Sequence, residues 1–285
     1  MSDLKQGGWL SRLTEAIKCD TDLLLEIRDN YLNDYFKGQS LLKLDRSLDN
    51  AYSLEIHRKF RVRSIEGMDF FRTAADVQTF VEALPAIKQR VVVHRAEKGG
   101  NEIEWEQLLI RANNDEPRLN TEYFIIDRQS VVPGASARFD LSAIFWSREH
   151  RRRGNEVPPV LLEVKYGQNP EIRELHEQLA RYYKALPPTL EETAEEAQMI
   201  LRQKIDVDLI HQPPDRLSTL RTHRISPSKA LMRFGVVLVD YNPASRLFSR
   251  EDLARLPFAE RVDIFHVGFG FWSQRAGAAS AGDDV

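Results

Sequence analysis

In the first hundred residues the apolar positions switch between helical and extended spacing. Trp9, Leu10, Leu13 and Ile17 share one face of a short helix, segments near 31–44 and 51–63 read as extended, and a second helix covers roughly 73–88. Lys98, Gly99, Gly100 and Asn101 interrupt this pattern and open a helix over Glu102–Asn113, with Asn101 placed to cap it. After Pro117 the spacing becomes that of strands. Tyr123–Val132 ends at the turn pair Pro133 and Gly134, and Arg138–Trp146 and Val160–Tyr166 follow as a hairpin around the polar stretch 147–158. Pro170 starts a helix reaching about Ala185, where Pro187 and Pro188 stop it. A helix over 189–205 sets Glu191, Glu192, Glu195 and Glu196 against Leu190, Ala194, Ala197 and Leu201, as a solvated cover would. Strands at Phe234–Tyr241 and Val262–Trp272 complete the set, and the small polar tail is expected to be disordered.

From residue 98 the order is therefore helix, strand, strand, strand, helix, strand: an antiparallel meander followed by a crossover. The predicted class is α/β (α+β), a mixed central sheet flanked by helices. The expected partition is a mixed α/β accessory region over 1–97, a core over 98–275 with a helical insertion at 188–230, and the tail 276–285.

Composition narrows the chemistry. With 285 residues, 42% of them apolar and 29% charged, the chain can bury a core without staples, and its single cysteine, Cys19, permits no internal disulfide. The N-terminus lacks a hydrophobic signal core, and apolar runs such as Phe234–Val239 are far shorter than a membrane span, so a soluble cytoplasmic protein with no membrane partner is expected. The seven histidines are scattered without metal-ligand spacing, which leaves carboxylates as the expected ligands of any metal. Forty basic and 43 acidic residues give a net charge of -3, which argues against a generally basic nucleic-acid coat. The balance is local, however: Arg138–Lys184 holds nine basic and seven acidic residues.

An acidic residue two before a lysine is uninformative alone, since chance in this composition predicts about as many as the two that occur, Asp3-Leu4-Lys5 and Glu163-Val164-Lys165. Context separates them. In a strand Glu163 and Lys165 leave the same face, whereas Leu162, Val164 and Tyr166 leave the other. The loop 147–158 is centred at 152.5, as is the pair Asp140 and Lys165, so antiparallel pairing brings Asp140 opposite the Glu163–Lys165 stretch. Two carboxylates held close together call for a proton or a cation between them, and oxygen ligands of this kind suit Mg²⁺, with Mn²⁺ as a substitute.

These residues resemble the PD-(D/E)XK nuclease superfamily. Its restriction-endonuclease-like core has the same order of elements, an acid opening the second strand and an acid-x-Lys in the third. Asp140 matches the first acid, and Glu163 and Lys165 match the second element. Gln178 and Tyr182, one turn apart on the next helix, match the Gln-x-x-x-Tyr of the RecB-like and Cas4-like branches. Phe139 stands where the motif's name has proline. The resemblance implies a metal-dependent nuclease, with DNA the leading substrate, in defence, restriction or repair. It implies a metal held by Asp140, Glu163, the Val164 carbonyl and an acid of the preceding helix. Among Glu102, Glu104 and Glu106, the expectation falls on Glu106 and Glu102. Lys165 would orient or deprotonate water, or stabilise the transition state, with Gln178 and Tyr182 positioning it.

Arg148, Arg151, Arg152 and Arg153 on the hairpin loop, with Arg138 beside Asp140, are the expected nucleic-acid contacts. The run Phe234–Asp240 resembles an ATPase strand, but no glycine-rich phosphate loop accompanies it, so no ATP is expected. Two other readings stand beside the nuclease on DNA: an RNA nuclease, and a catalytically inactive nucleic-acid-binding or interaction subunit. The accessory region is expected to choose substrate, form a homodimer surface or dock a helicase or other motor protein.

Overall fold

The computed structural model describes residues 2–28, 31–47, 51–98, 102–116, 120–131, 138–153 and 156–271. The expected cap Asn101, the turn pair Pro133 and Gly134, Trp272 and the tail 276–285 lie outside them.

The N-terminal region is a five-stranded antiparallel sheet with two helices on it. Helix α1 (Ser11–Cys19) follows the spacing of Leu13 and Ile17, and strands β1 (Leu23–Ile27), β2 (Tyr31–Phe36), β3 (Gln39–Arg46), β4 (Tyr52–Glu55) and β5 (Phe70–Phe71) lie in sequence order. The strand β1 has no alternation to announce it, because Leu23, Leu25 and Ile27 are buried alongside Glu26. Helix α2 (Ala74–Lys98) runs ten residues past the expected end and through Pro85. The buried stripe Val77, Phe80, Leu84, Ile87 and Val91 keeps its three-and-four spacing throughout, and that burial sustains the helix beyond the proline.

The second region has the expected order of elements. Helix α3 (Glu102–Asn114) leads to β6 (Tyr123–Val131) and β7 (Arg138–Phe145). A loop carrying α4 (His150–Arg153) and β8 (Glu156–Val157) separates β7 from β9 (Pro159–Tyr166). A 3₁₀ turn at Pro170–Glu174 opens the next helix, α5 (Leu175–Ala185). Helices α6 (Glu191–Asp206) and α7 (Pro214–Thr222) and the short β10 (Arg224–Ile225) form the insertion. The strand β11 (Arg233–Val239), helix α8 (Arg250–Ala254) and β12 (Val262–Val267) follow. The sheet order is β12-β11-β9-β7-β6, antiparallel through β6, β7 and β9 and parallel through β9, β11 and β12. The strand β12 stops five residues short of the expected Trp272. At Gly268 φ is 143°, and the Asp240 carboxylate accepts the N–H groups of Phe269 (2.7 Å) and Gly270 (3.0 Å), which turns the chain out of the ladder.

The two faces of this sheet are covered differently. Leu109 and Ile110 of α3 pack on Leu141, Leu162, Val164, Val237 and Val239. On the other face, Leu175 and Leu179 of α5 pack on Phe139, Leu161, Phe234, Val236 and Leu238. Helix α6 covers the far end of β6 and β7, but it is more than a solvated lid. Its Lys204 is buried, donating to Glu26 of β1 at 2.5 Å and to the Ile126 carbonyl of β6 at 2.6 Å. No helix among the described residues is long and apolar enough to cross a membrane.

Candidate active site

Strand β9 supplies the centre of the site. Leu162 and Val164 join the α3-side cluster, so Glu163 and Lys165 project toward α5 as alternation requires. Both are buried, at 3% and 4% exposure. Lys165 Nζ donates to Glu163 Oε1 at 2.7 Å, and Gln178 Nε2, coming down from α5, donates to the same oxygen at 2.5 Å and also contacts the Tyr182 hydroxyl at 2.7 Å. The Tyr182 ring rests on Phe139 with centroids 4.5 Å apart. Glu163 Oε2 is buried with no hydrogen-bond partner.

Asp140 arrives from β7 at the point where two strands part. The ladder between β7 and β9 runs from Ile144 opposite Pro159 to Leu141 opposite Leu162, and continuing it one step sets Asp140 against Glu163. Alternation fails there. Phe139 enters the α5-side cluster and Leu141 the α3-side cluster, though a regular strand would put residues two apart on one face. Asp140, at that switch, reaches sideways, and its Oδ2 accepts the Val164 N–H at 2.8 Å.

The third side is α3. Glu106 is buried, and its Oε2 takes two bonds from Arg128 of β6, from Nε at 3.1 Å and Nη2 at 2.7 Å. Glu102, one turn earlier, is partly exposed. Glu104 instead turns away to pair with Lys37 and Arg95 of the N-terminal region. Helix geometry therefore separates the three acids that the sequence left open.

These groups share one electrostatic environment. Burial drives the Asp140 carboxyl up to about 7; Glu163 and Glu102 push the same way, against the Val164 N–H and Lys165. Burial likewise lifts Glu106 to about 7, opposed by Arg128 and reinforced by Asp140 and Glu102. Glu163 is raised by burial, with Lys165 and Gln178 opposing. For Lys165, burial works to lower the value, but Glu163, Asp140 and Glu102 outweigh it and hold the ammonium protonated. Among the described residues no three acidic, histidine or cysteine side chains are drawn close enough to form a ready metal cage. A cation held here would rely on the unpartnered Glu163 oxygen, on Asp140 and on backbone and water oxygens. The orphaned oxygen and the mutually repelling carboxyls fit such an ion.

The arginines divide. Arg138 is exposed at the site end of β7 and bonds the Gln129 side chain. The loop carrying Arg148, Arg151 and Arg152 hangs from the opposite ends of β7 and β9, six residues from Asp140 at about 3.3 Å each, so roughly 20 Å away. Arg148 and Arg152 are exposed there. Arg151 donates to the Trp146 carbonyl at 3.0 Å, bonds Asn120 and Thr121, and stacks on the Trp146 ring at 4.9 Å, so it braces the loop. Arg153 ends α4, and its side chain lies outside the described residues. A hairpin loop between two strands leaves them at the end away from residues near the start of the first and the end of the second, so the expected nucleic-acid contacts on this loop lie apart from Asp140, Glu163 and Lys165, whereas Arg138 lies beside them.

Two neighbours escaped the sequence reading. Glu171, on the exposed 3₁₀ turn, approaches Lys165 Nζ at 3.4 Å, and nothing in its sequence surroundings marks it. Arg128 did leave a signal, since Asp127 and Arg128 are charges directly after the apolar run Tyr123, Phe124, Ile125 and Ile126 of β6. No family model, curated protein or solved structure matches the chain.

Proposed function

We propose that this chain is a metal-dependent nuclease with a PD-(D/E)XK-like core, hydrolysing phosphodiester bonds in DNA. The observation that carries the reading is the buried Glu163–Lys165 pair beside Asp140, bound to Gln178 of the following helix, on a meander-and-crossover sheet. Ion pairs of this composition are usually solvated, and a surface pair would have no reason to be sunk beneath α5.

Asp140, Glu163 and the Val164 carbonyl would hold Mg²⁺ or Mn²⁺. The Val164 N–H points to Asp140, and a strand residue's carbonyl leaves on the same edge as its N–H. Glu106 and Glu102 flank them. When bound, the cation acidifies a water and neutralises charge developing on the phosphodiester. Lys165, kept as an ammonium by its acidic neighbours, is suited to orienting the attacking water and stabilising the charged transition state, and not to removing a proton. Gln178 fixes the Glu163 carboxylate, and Tyr182 fixes Gln178. Arg138, exposed at this end, is the phosphate contact that the geometry favours.

The test is cleavage of single- and double-stranded DNA and RNA by the purified full chain with Mg²⁺ or Mn²⁺, beside Glu163→Ala and Lys165→Ala. Metal-dependent cleavage lost in both variants is expected. Equal activity in all three proteins overturns the assignment, and salt-sensitive binding without cleavage by the native chain would favour a non-catalytic nucleic-acid-binding role.

A further inference from the structure

The buried guanidinium of Arg128 joins the N-terminal sheet to the candidate site. Strands β2 and β3 are connected by the two-residue turn Lys37–Gly38, with φ of 49° and 76°, the double positive φ that tight hairpins use. This turn is wedged against the first turns of α3. A Cβ on Gly38 would stand 2.2 Å from the Ile103 carbonyl oxygen, so only glycine allows so close an approach. The Gly38 N–H donates to Gln107 Oε1 at 2.7 Å, Lys37 Nζ pairs with Glu104 at 2.7 Å, and Arg95 of α2 donates to the Lys37 carbonyl at 2.7 Å.

From the other side of the turn, the Gly38 carbonyl accepts Arg128 Nη1 at 3.2 Å, and the Tyr35 ring lies under the guanidinium at 4.3 Å. Arg128 is fully buried; its Nε and Nη2 grip Glu106, and Nη2 also reaches the Ile103 carbonyl at 3.5 Å. A guanidinium offers a rigid fork of donors in one plane, so fixing Nη1 and the ring face also fixes the direction in which Nε and Nη2 are delivered. Glu106 is held by that fork through one oxygen only.

We propose that Arg128 is a positioning residue for the cation site, and that the Lys37–Gly38 turn with Tyr35 fixes Arg128, making the N-terminal sheet a working part of the site. No residue of the turn touches the cation. Arg128 acts through Glu106, the buried acid of α3 that it holds by two hydrogen bonds and whose charge is felt at Asp140. The proposal rests on the metal-dependent reading above and assigns the accessory region a task that its sequence does not announce.

The experiment is Mn²⁺ binding to the full chain without nucleic acid, followed by electron paramagnetic resonance of the free ion. The proteins are the native chain, Arg128→Met, Arg128→Lys, Tyr35→Leu, Glu106→Gln, the double variant Arg128→Met with Glu106→Gln, and Glu163→Ala. Near-ultraviolet circular dichroism of each reports folding. Arg128→Met is expected to weaken binding about 10-fold, the lower end of the range for residues that orient a metal site from outside its ligands. Arg128→Lys should recover part of this, and Tyr35→Leu, which touches no carboxylate of the site, should weaken binding several-fold. On the Glu106→Gln background, Arg128→Met should add nothing, which a merely structural role would not produce. Native affinity in folded Tyr35→Leu and Arg128→Met, or a full Arg128 effect on that background, overturns the proposal alone. Native affinity in Glu163→Ala overturns the cation site itself and this proposal with it.

Discussion

Asp140 Oδ2 accepts the backbone N–H of Val164 at 2.8 Å, across the point where β7 and β9 stop pairing. One carboxylate thus replaces a rung of the ladder and faces Glu163 at the same time. The structural and electrostatic duties are carried by different properties of the group: acceptance needs an oxygen, whereas repulsion of Glu163, and the cation binding proposed for this site, need the charge.

Those duties separate under substitution. Asp140→Asn keeps an oxygen for Val164 and should stay within about 1 kcal/mol of the native chain, as the exchange retains the hydrogen bond. It should lose metal-dependent cleavage. Asp140→Ala leaves the Val164 N–H unmet and should cost about 1–3 kcal/mol in addition. Urea unfolding of both variants beside the cleavage assay distinguishes these outcomes. A stability loss in Asp140→Asn equal to that in Asp140→Ala would contradict the role of the oxygen.

The raised carboxyls make stability depend on pH in a definite direction. Burial and their acidic neighbours place Asp140 and Glu106 at about 7 in the fold, against about 4 in an unfolded chain. Between those values the native state binds more protons than the unfolded state, so their contribution to stability falls as pH rises from about 4 to 7 and is lost above it. A bound cation favours the deprotonated forms and opposes this loss. Thermal unfolding should therefore show a larger upward shift with added Mg²⁺ at pH 8 than at pH 6. A shift that is independent of pH would contradict the linkage.

Gln178 and Tyr182 form a graded pair. Gln178→Ala removes one of two donors to Glu163 Oε1 and should lower the cleavage rate about 10- to 100-fold, as loss of a ligand's hydrogen-bond partner does. Tyr182→Phe retains the ring on Phe139 and removes only the hydroxyl that Gln178 meets, so its effect should be several-fold at most. Single-turnover rates at saturating metal measure both. A larger loss in Tyr182→Phe than in Gln178→Ala would reverse the order of support inferred for this helix.

How much of this was legible in the sequence follows from which information is local. The order of elements after residue 98 could be read because the apolar period changes at each boundary. The hairpin arithmetic brought Asp140 to the correct stretch of β9, since loop length and antiparallel pairing fix register to within a residue or two. Glu163, Lys165, Gln178 and Tyr182 could be found because they lie close in sequence and obey simple periods. Arg128 and Gly38 could not be placed, because their meeting depends on how two sheets dock, and no spacing encodes that. The distance of the arginine loop from Asp140 could not be read either, because adjacency in sequence to the two strands does not say at which of their ends a residue lies. The departure of Asp140 from strand alternation is a property of the splayed ladder, invisible until the strands are paired.

The two regions meet along a seam of buried charge. Glu26 of β1 is fully buried and meets Lys204 of α6 at 2.5 Å, while its other oxygen is buried with no partner. Close by, Arg28 pairs with Asp127 of β6 and bonds the Arg128 carbonyl, and Asp127 is pushed well up by burial and by Glu26. Removing one member of such a pair strands a charge in a low-dielectric seam, and losses of about 3–5 kcal/mol are typical, whereas replacing both by apolar groups is often neutral. Lys204→Met should therefore destabilise strongly, and Glu26→Leu combined with Lys204→Met should recover most of the loss. Because the pair ties β1 to β6 through α6, unfolding of Lys204→Met followed by Trp9 and Trp146 fluorescence, in variants retaining one tryptophan each, should remain a single transition at lower denaturant. Separate transitions would show that the N-terminal sheet and the core sheet fold independently, and that a seam of buried charge is not sufficient to make them one cooperative unit.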